Sequence, residues 1–221
     1  SEQEHLKLVY NSIMNYCEWV TARKELTEAQ RNSYVNDNEY FHTKKFGGAV
    51  YLEDGTVTVS GENTKIESCQ SQGSGGAICI RKTGAINPSF SMSGGYLTKN
   101  YAASNGGAVH LDGGHVTVSG GSINGNIALD GNGGGISINS GNFDMPAGGT
   151  ALINANAALV QNQKEGTPAG NGGGVYVTST GSNVEVNLLS GTITGNSSTN
   201  TGGGIGVDVS TAGTAASVIV G

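Results

Sequence analysis

The chain has 221 residues, a formal net charge of −6 and a pI of about 5.1. Lysine and arginine form no stripe that could follow a phosphate backbone, so nucleic acid is not an expected partner. No apolar run reaches the length of about 18 residues that a membrane span needs. Glycine supplies 38 residues and aromatic residues only 6% of the chain, which favours many short strands joined by tight turns.

Residues 1–45 differ from the rest because they contain no glycine and are rich in Glu, Lys, Asn and Tyr. The run from Thr27 to Gln30 fits a capping box that opens a short helix. An earlier helix is predicted by apolar residues at spacings of three and four, namely Leu6, Val9, Tyr10, Ile13, Met14, Cys17 and Val20. We expect this segment to be a helical cap over the exposed end of the next domain, or a helix that docks a partner.

A glycine pair followed by Ala or Gly and a β-branched residue recurs along residues 46–221, at intervals of roughly 30 residues. Spacing in this range is typical of proteins built from stacked repeats. Glycine pairs at this interval also disfavour long helices, because each glycine costs about 1 kcal/mol in a helix. The six copies begin at Gly47, Gly75, Gly106, Gly133, Gly172 and Gly202.

Each repeat is predicted to contain three strands. The first follows the glycines, the second carries an inward pair such as Val116 and Val118, and the third has the pattern apolar-x-x-Asn. The expected fold is therefore all-β, a right-handed single-stranded parallel β-helix of five or six coils. Stacked coils would align the third-strand residues as a ladder of turn side chains, formed by Asn100, Asn126, Asn156 and Asn196 with Cys69 as a variant.

The two motifs together, Gly-Gly-Ala-Ile/Val and apolar-x-x-Asn, resemble the repeats of chlamydial polymorphic outer-membrane proteins and of autotransporter passengers. The resemblance covers roughly residues 47–221. In that family the second motif usually begins with Phe, whereas here it begins with Ile or Leu. The resemblance implies a secreted or surface-displayed adhesive β-helix, and it supplies no catalytic residues.

The last residues, 217–221, align with the second strand of a coil whose third strand does not follow. This alignment predicts a domain truncated within a coil, so that the chain is a fragment of a longer β-helix. The alternative is a unit whose open end stacks on another copy of the chain.

The cysteines are Cys17, Cys69 and Cys79, and none has the spacing or the nearby histidines of a zinc site. We expect isolated thiols, while a bridge between Cys69 and Cys79 stays open. No metal site and no cofactor are predicted.

Aligning the first strands places two columns of side chains on their outward face. One column is predicted to contain Glu53, Arg81, Asp112, Asn139, Thr178 and Asp208, and its neighbour Tyr51, Cys79, His110, Ser137, Tyr176 and Gly206. Glu53, Arg81 and Asp112 alternate in charge, which is typical of a solvated ladder worth about 0.2–1 kcal/mol per pair. Catalysis is therefore not expected, although binding or cleavage of a polysaccharide remains the alternative.

The longest repeat, between Gly133 and Gly172, contains a polar insertion that should protrude as a loop. A host or bacterial surface protein, or a glycan, is the expected partner of an extracellular structural or adhesive protein of this kind. The residues predicted to contact it are Gln161, Asn162, Gln163, Lys164 and Glu165 in the loop, with Tyr51, His110 and Tyr176 on the first strands.

Overall fold

The structure is a computed structural model that describes residues 46–160, 170–179, 182–209 and 215–221. These residues form strands and connecting loops without a helix. The predicted helical cap, residues 1–45, and the predicted binding loop lie outside the described residues. The predicted all-β class is confirmed for the part of the chain that the structure describes.

Eighteen strands are described. In chain order they are β1 (Val50–Leu52), β2 (Thr56–Val59), β3 (Lys65–Glu67), β4 (Gln70–Ser71), β5 (Ile78–Arg81), β6 (Ser89–Thr98), β7 (Tyr101–Ala102), β8 (Val109–Asn124), β9 (Ile127–Leu129), β10 (Ile136–Met145), β11 (Leu152–Asn154), β12 (Ala157–Leu159), β13 (Val175–Thr178), β14 (Val184–Leu188), β15 (Thr192–Thr194), β16 (Ser197–Ser198), β17 (Ile205–Asp208) and β18 (Ala216–Val220).

Every described strand pair is parallel, and equivalent strands of successive repeats lie side by side. The first strands follow the order β1-β5-β8-β10-β13-β17 within a 13-stranded sheet. The long strand β8 passes through the first, second and third positions of its repeat. It turns at Gly113 and Gly114, whose φ angles of 95° and 99° favour glycine.

The expectation of three strands per repeat is wrong, because a fourth short strand follows the Asn corner. The strands β4, β7, β9, β12 and β16 form a separate 5-stranded parallel sheet. They are only two or three residues long and have inward side chains as small as Ala102, Ala128 and Ala158. A segment this short shows no alternation in its sequence, so periodicity does not reveal it.

The core lies between the strands and consists of stacked aliphatic and aromatic side chains. In the third repeat, Val109, Leu111, Val116, Val118 and Ile123 are all fully buried. Phe90 and Phe143 lie on either side of Val116 in register on β6 and β10. Parallel pairing thus places like residues above one another, so each repeat contacts chiefly its two neighbours.

The two glycines of each repeat motif are required for different reasons. Gly106 has a φ of 70°, in the left-handed region that L side chains rarely adopt. Gly107 has no such φ, but a Cβ atom there would collide with the carbonyl oxygen of Gly134 in the next repeat. The first glycine therefore permits the corner, and the second permits close stacking of successive corners.

The Asn side chains of the third segment are hydrogen-bonded to one another along the stack. The main-chain N–H and Nδ2 of Asn126 both donate to Oδ1 of Asn156, at 3.0 and 2.8 Å. Asn100 donates in the same way to Asn126, and Asn156 to Asn196. Cys69 contributes only its main-chain N–H, which donates to Asn100 Oδ1 at 3.0 Å. Each Asn Nδ2 also donates to a carbonyl of the preceding repeat.

A second hydrogen-bonded column lies immediately before the glycine pairs, and sequence reasoning missed it. The N–H of Asn132 donates to Asn105 Oδ1 at 2.8 Å, and the N–H and Nδ2 of Asn171 donate to Asn132 Oδ1 at 2.9 and 3.0 Å. Thr201 completes the column by donating to Asn171 Oδ1. The available signal was the recurrent Asn-Gly-Gly sequence, in which the Asn precedes the corner glycine.

Candidate functional site

The structure separates the three first-strand residues that were predicted to contact a ligand. Tyr51 is 40% exposed, but His110 and Tyr176 are each only 6% exposed. The prediction that His110 and Tyr176 are available on an outward face is therefore wrong. Alternation along a strand gives the direction of a side chain, whereas its exposure depends on what else packs on that face.

Tyr51 is held by its neighbours. Its ring stacks on Phe46 with centroids 6.1 Å apart, and its hydroxyl donates to Glu53 Oε1 at 2.8 Å. The Arg81 guanidinium lies over the same Phe46 ring, 5.6 Å from its centroid. Burial and the Glu53 carboxylate raise the pKa of Tyr51. The tyrosine thus belongs to a small packed cluster at the first strand.

The charged column of the first strands differs from its prediction in one position. Arg81 lies opposite Asp112, and their Nε and Oδ2 atoms are 3.6 Å apart. The next residue in the column is Ser140, whose hydroxyl donates to Asp112 Oδ1 at 3.3 Å, and not the predicted Asn139. A register shift between Ile138 and Ser140 displaces Asn139 from the column.

Cys79 and His110 occupy paired positions on β5 and β8, but both are uncharged at neutral pH. Burial, with a smaller effect of Asp112, raises the pKa of the Cys79 thiol to about 12. Burial lowers the pKa of His110 to about 4. A cysteine nucleophile requires a thiolate, commonly beside an imidazolium, and this pair supplies neither ion.

A more exposed group of polar side chains lies on the outward face of the second strands. We call His115, Thr117, Asp144, Glu185 and Asn187 the polar network. Asp144 Oδ2 is 2.6 Å from His115 Nε2, and Asp144 Oδ1 accepts a hydrogen bond of 2.8 Å from Asn187 Nδ2. Asn187 Nδ2 also donates to Glu185 Oε1 at 3.1 Å, and Thr117 Oγ1 lies 3.3 Å from His115 Nε2.

Three neighbouring strands position this network. Thr117, Asp144 and Asn187 are opposite one another on β8, β10 and β14. The hydroxyl pairs Thr56–Ser89 and Thr58–Ser91 extend the same face across earlier repeats, at 2.9 and 3.2 Å. The outward positions could be read from alternation around the inward apolar pairs. The contact between His115 and Asp144 could not be predicted in this way, because the two residues are diagonal neighbours on β8 and β10 and are not directly opposite each other.

The arrangement of the network suits hydrogen bonding better than nucleophilic catalysis. Thr117 and Asp144 both approach Nε2 of His115, whereas a hydroxyl–imidazole–carboxylate relay uses the two different ring nitrogens. The carboxylates, amide and hydroxyl together offer acceptors and donors to a polar ligand. Half-exposed side chains held by mutual hydrogen bonds would lose little conformational freedom on binding.

The structure also bears on the cysteines, on groups of possible metal ligands and on helices long enough to span a membrane. Cys69 and Cys79 are free thiols. Among the described residues, no group of three or more His, Cys, Asp or Glu side chains could hold a metal ion. In the same ranges, no helix is long and apolar enough to cross a membrane. The predicted loop residues Gln161, Asn162, Gln163, Lys164 and Glu165 lie outside the described ranges.

Comparisons of the chain with models of known protein families, with curated proteins and with solved structures found no match.

Proposed function

We propose that residues 46–221 form a right-handed parallel β-helix that serves as a secreted or surface-displayed structural or adhesive protein, without catalytic activity. The observation that carries this proposal is the in-register parallel pairing of equivalent strands through six successive repeats. A domain assembled in this way grows in length by repetition and presents long side faces to partners. Right-handed winding is the expected hand, because parallel crossover connections are almost always right-handed.

Polar chemistry on the side faces supports a binding role over a purely mechanical one. The outward residues of the second strands are hydroxyl, amide, imidazole and carboxylate groups, and they lie on paired strands about 4.8 Å apart. A flat face of this composition can form many weak contacts with an extended polar partner. The resemblance of the repeat motifs to those of surface passengers agrees with an extracellular location and an adhesive role.

Polysaccharide binding is the second candidate, and the polar network favours it. Asp144 and Glu185 are joined through one Asn187 amide, so several sugar hydroxyls could be bound at once. Cleavage would need one carboxylic acid to donate a proton to the leaving group. Both oxygens of Asp144 are already engaged, Oδ2 by the His115 ring and Oδ1 by the Asn187 amide, so neither is free to contact a leaving group.

The test is incubation of the full chain with neutral and acidic polysaccharides, measuring both retention on the glycan and the appearance of new chain ends. Binding to immobilised surface proteins is measured in parallel. We expect retention on a protein or a glycan without new ends. Asp144→Asn should weaken glycan retention if the polar network is the site, whereas the charge-matched control Glu53→Gln should not. New ends that disappear in Asp144→Asn would refute a non-catalytic role.

A further inference from the structure

A polar column is buried on the face of the first strands that points away from the core. Cys79, His110 and Ser137 are opposite one another on β5, β8 and β10. Their exposures are 1%, 6% and 0%. The side chains on either side of them along each strand, such as Val109 and Leu111, point into the core. Strands β5, β8 and β10 are therefore buried on both faces around these three residues, as parallel strands commonly are.

The imidazole of His110 lies in this column without the contacts that a charged ring needs. Among the described residues, its Nδ1 is buried and has no hydrogen-bond partner, and the same is true of Ser137 Oγ. A neutral ring tolerates such a position at a modest cost, but burial of an unpaired charge is far more costly. Burial accordingly lowers the pKa of His110 from 6.5 to about 4.

The charged groups around His110 do not compensate a proton on the ring. Asp112, two residues along β8, favours the charged form, but its carboxylate already interacts with Arg81 and Ser140. Arg81 on β5 disfavours the charged form. On the two flanking strands, the residues directly opposite His110 are the neutral thiol of Cys79 and the hydroxyl of Ser137. No described carboxylate is therefore left to pair with the ring alone.

We infer that His110 makes the central first strands acid-sensitive, so that protonation of its ring opens this buried face. The open state can hydrate the charged imidazole, whereas the closed state cannot. Because the pKa is lower in the closed state than the ordinary value of 6.5, the open state binds more protons between these values. The stabilisation of the closed state by its neutral His110 ring is complete at neutral pH. It is lost as the pH falls from about 6.5 towards 4. The ratio of open to closed states should rise by about 100-fold by pH 4 and by up to about 300-fold at pH values well below 4. The inference is independent of what the protein binds.

The experiment is hydrogen exchange of the full chain between pH 7 and pH 4, corrected for the intrinsic exchange rates and followed at residues 109–111. In the wild type we expect opening to increase by about 100-fold over this range. In His110→Leu, where an apolar side chain fills the buried position, the increase should fall below about 10-fold. The matched control is His115→Gln, because His115 lies on the same strand with its side chain 45% exposed. It should respond like the wild type.

An equal response of the wild type and His110→Leu would overturn the inference, and so would a wild type without a pH response. A direct readout does not depend on the folding of any variant. In an NMR titration of the folded wild-type chain, the His110 ring should stay neutral well below pH 6. A titration midpoint near 6.5 while the strands stay closed would also overturn the inference.

Discussion

Replacement of Asn126 by alanine tests whether the Asn column holds the repeats together. The side chain is fully buried and takes part in four hydrogen bonds. It donates to Leu97 O at 2.9 Å and to Asn156 Oδ1 at 2.8 Å. It accepts from the N–H and Nδ2 of Asn100, at 2.9 and 3.0 Å. Alanine removes all four and leaves the Asn100 N–H without its acceptor.

The expected loss of unfolding free energy is about 4 kcal/mol, since each buried hydrogen bond contributes about 1 kcal/mol net. The assay is urea unfolding of the full chain, followed by the far-ultraviolet circular dichroism of its strands. Asn142→Ala is the matched control, because Asn142 is an exposed residue of β10. It should change the unfolding free energy by less than about 0.5 kcal/mol. A loss below about 1 kcal/mol for Asn126→Ala, or equal losses for the two variants, would refute the reasoning.

Three further predictions concern the corner, the core and the buried thiol. Gly107→Ala should cost about 2–3 kcal/mol in urea unfolding, because its Cβ would collide with Gly134 O, whereas Gly84→Ala, with open space around it, should be close to neutral. Phe143→Ala should cost about 3–5 kcal/mol in the same assay, because the ring is fully buried; a cost below about 1 kcal/mol would show that the core is loosely packed there. Cys79 should react with a thiol reagent at pH 8 only after urea is added, because burial raises its pKa to about 12; rapid labelling of the folded chain, located by mass spectrometry, would contradict its burial.

The sequence by itself determined the repeating unit. The glycine pairs mark corners where one residue needs a positive φ and the next has no room for a Cβ atom, as at Gly106 and Gly107. Alternating apolar residues such as Val116 and Val118 identify which side chains enter the core. These features are local, because they depend on backbone conformation and on the two-residue period of a strand. They were sufficient to predict the all-β class of the residues that the structure describes.

Only the tertiary structure decided which polar side chains meet and which are exposed. The register shift that removes Asn139 from the charged column is set by pairing between β8 and β10. The contact between His115 and Asp144 joins residues of different repeats, and the burial of His110 depends on packing outside its own strand. Alternation fixes the direction of a side chain relative to the sheet, but register and burial arise from contacts between segments far apart in the chain. For that reason the core was predictable from the sequence, whereas the polar network was not.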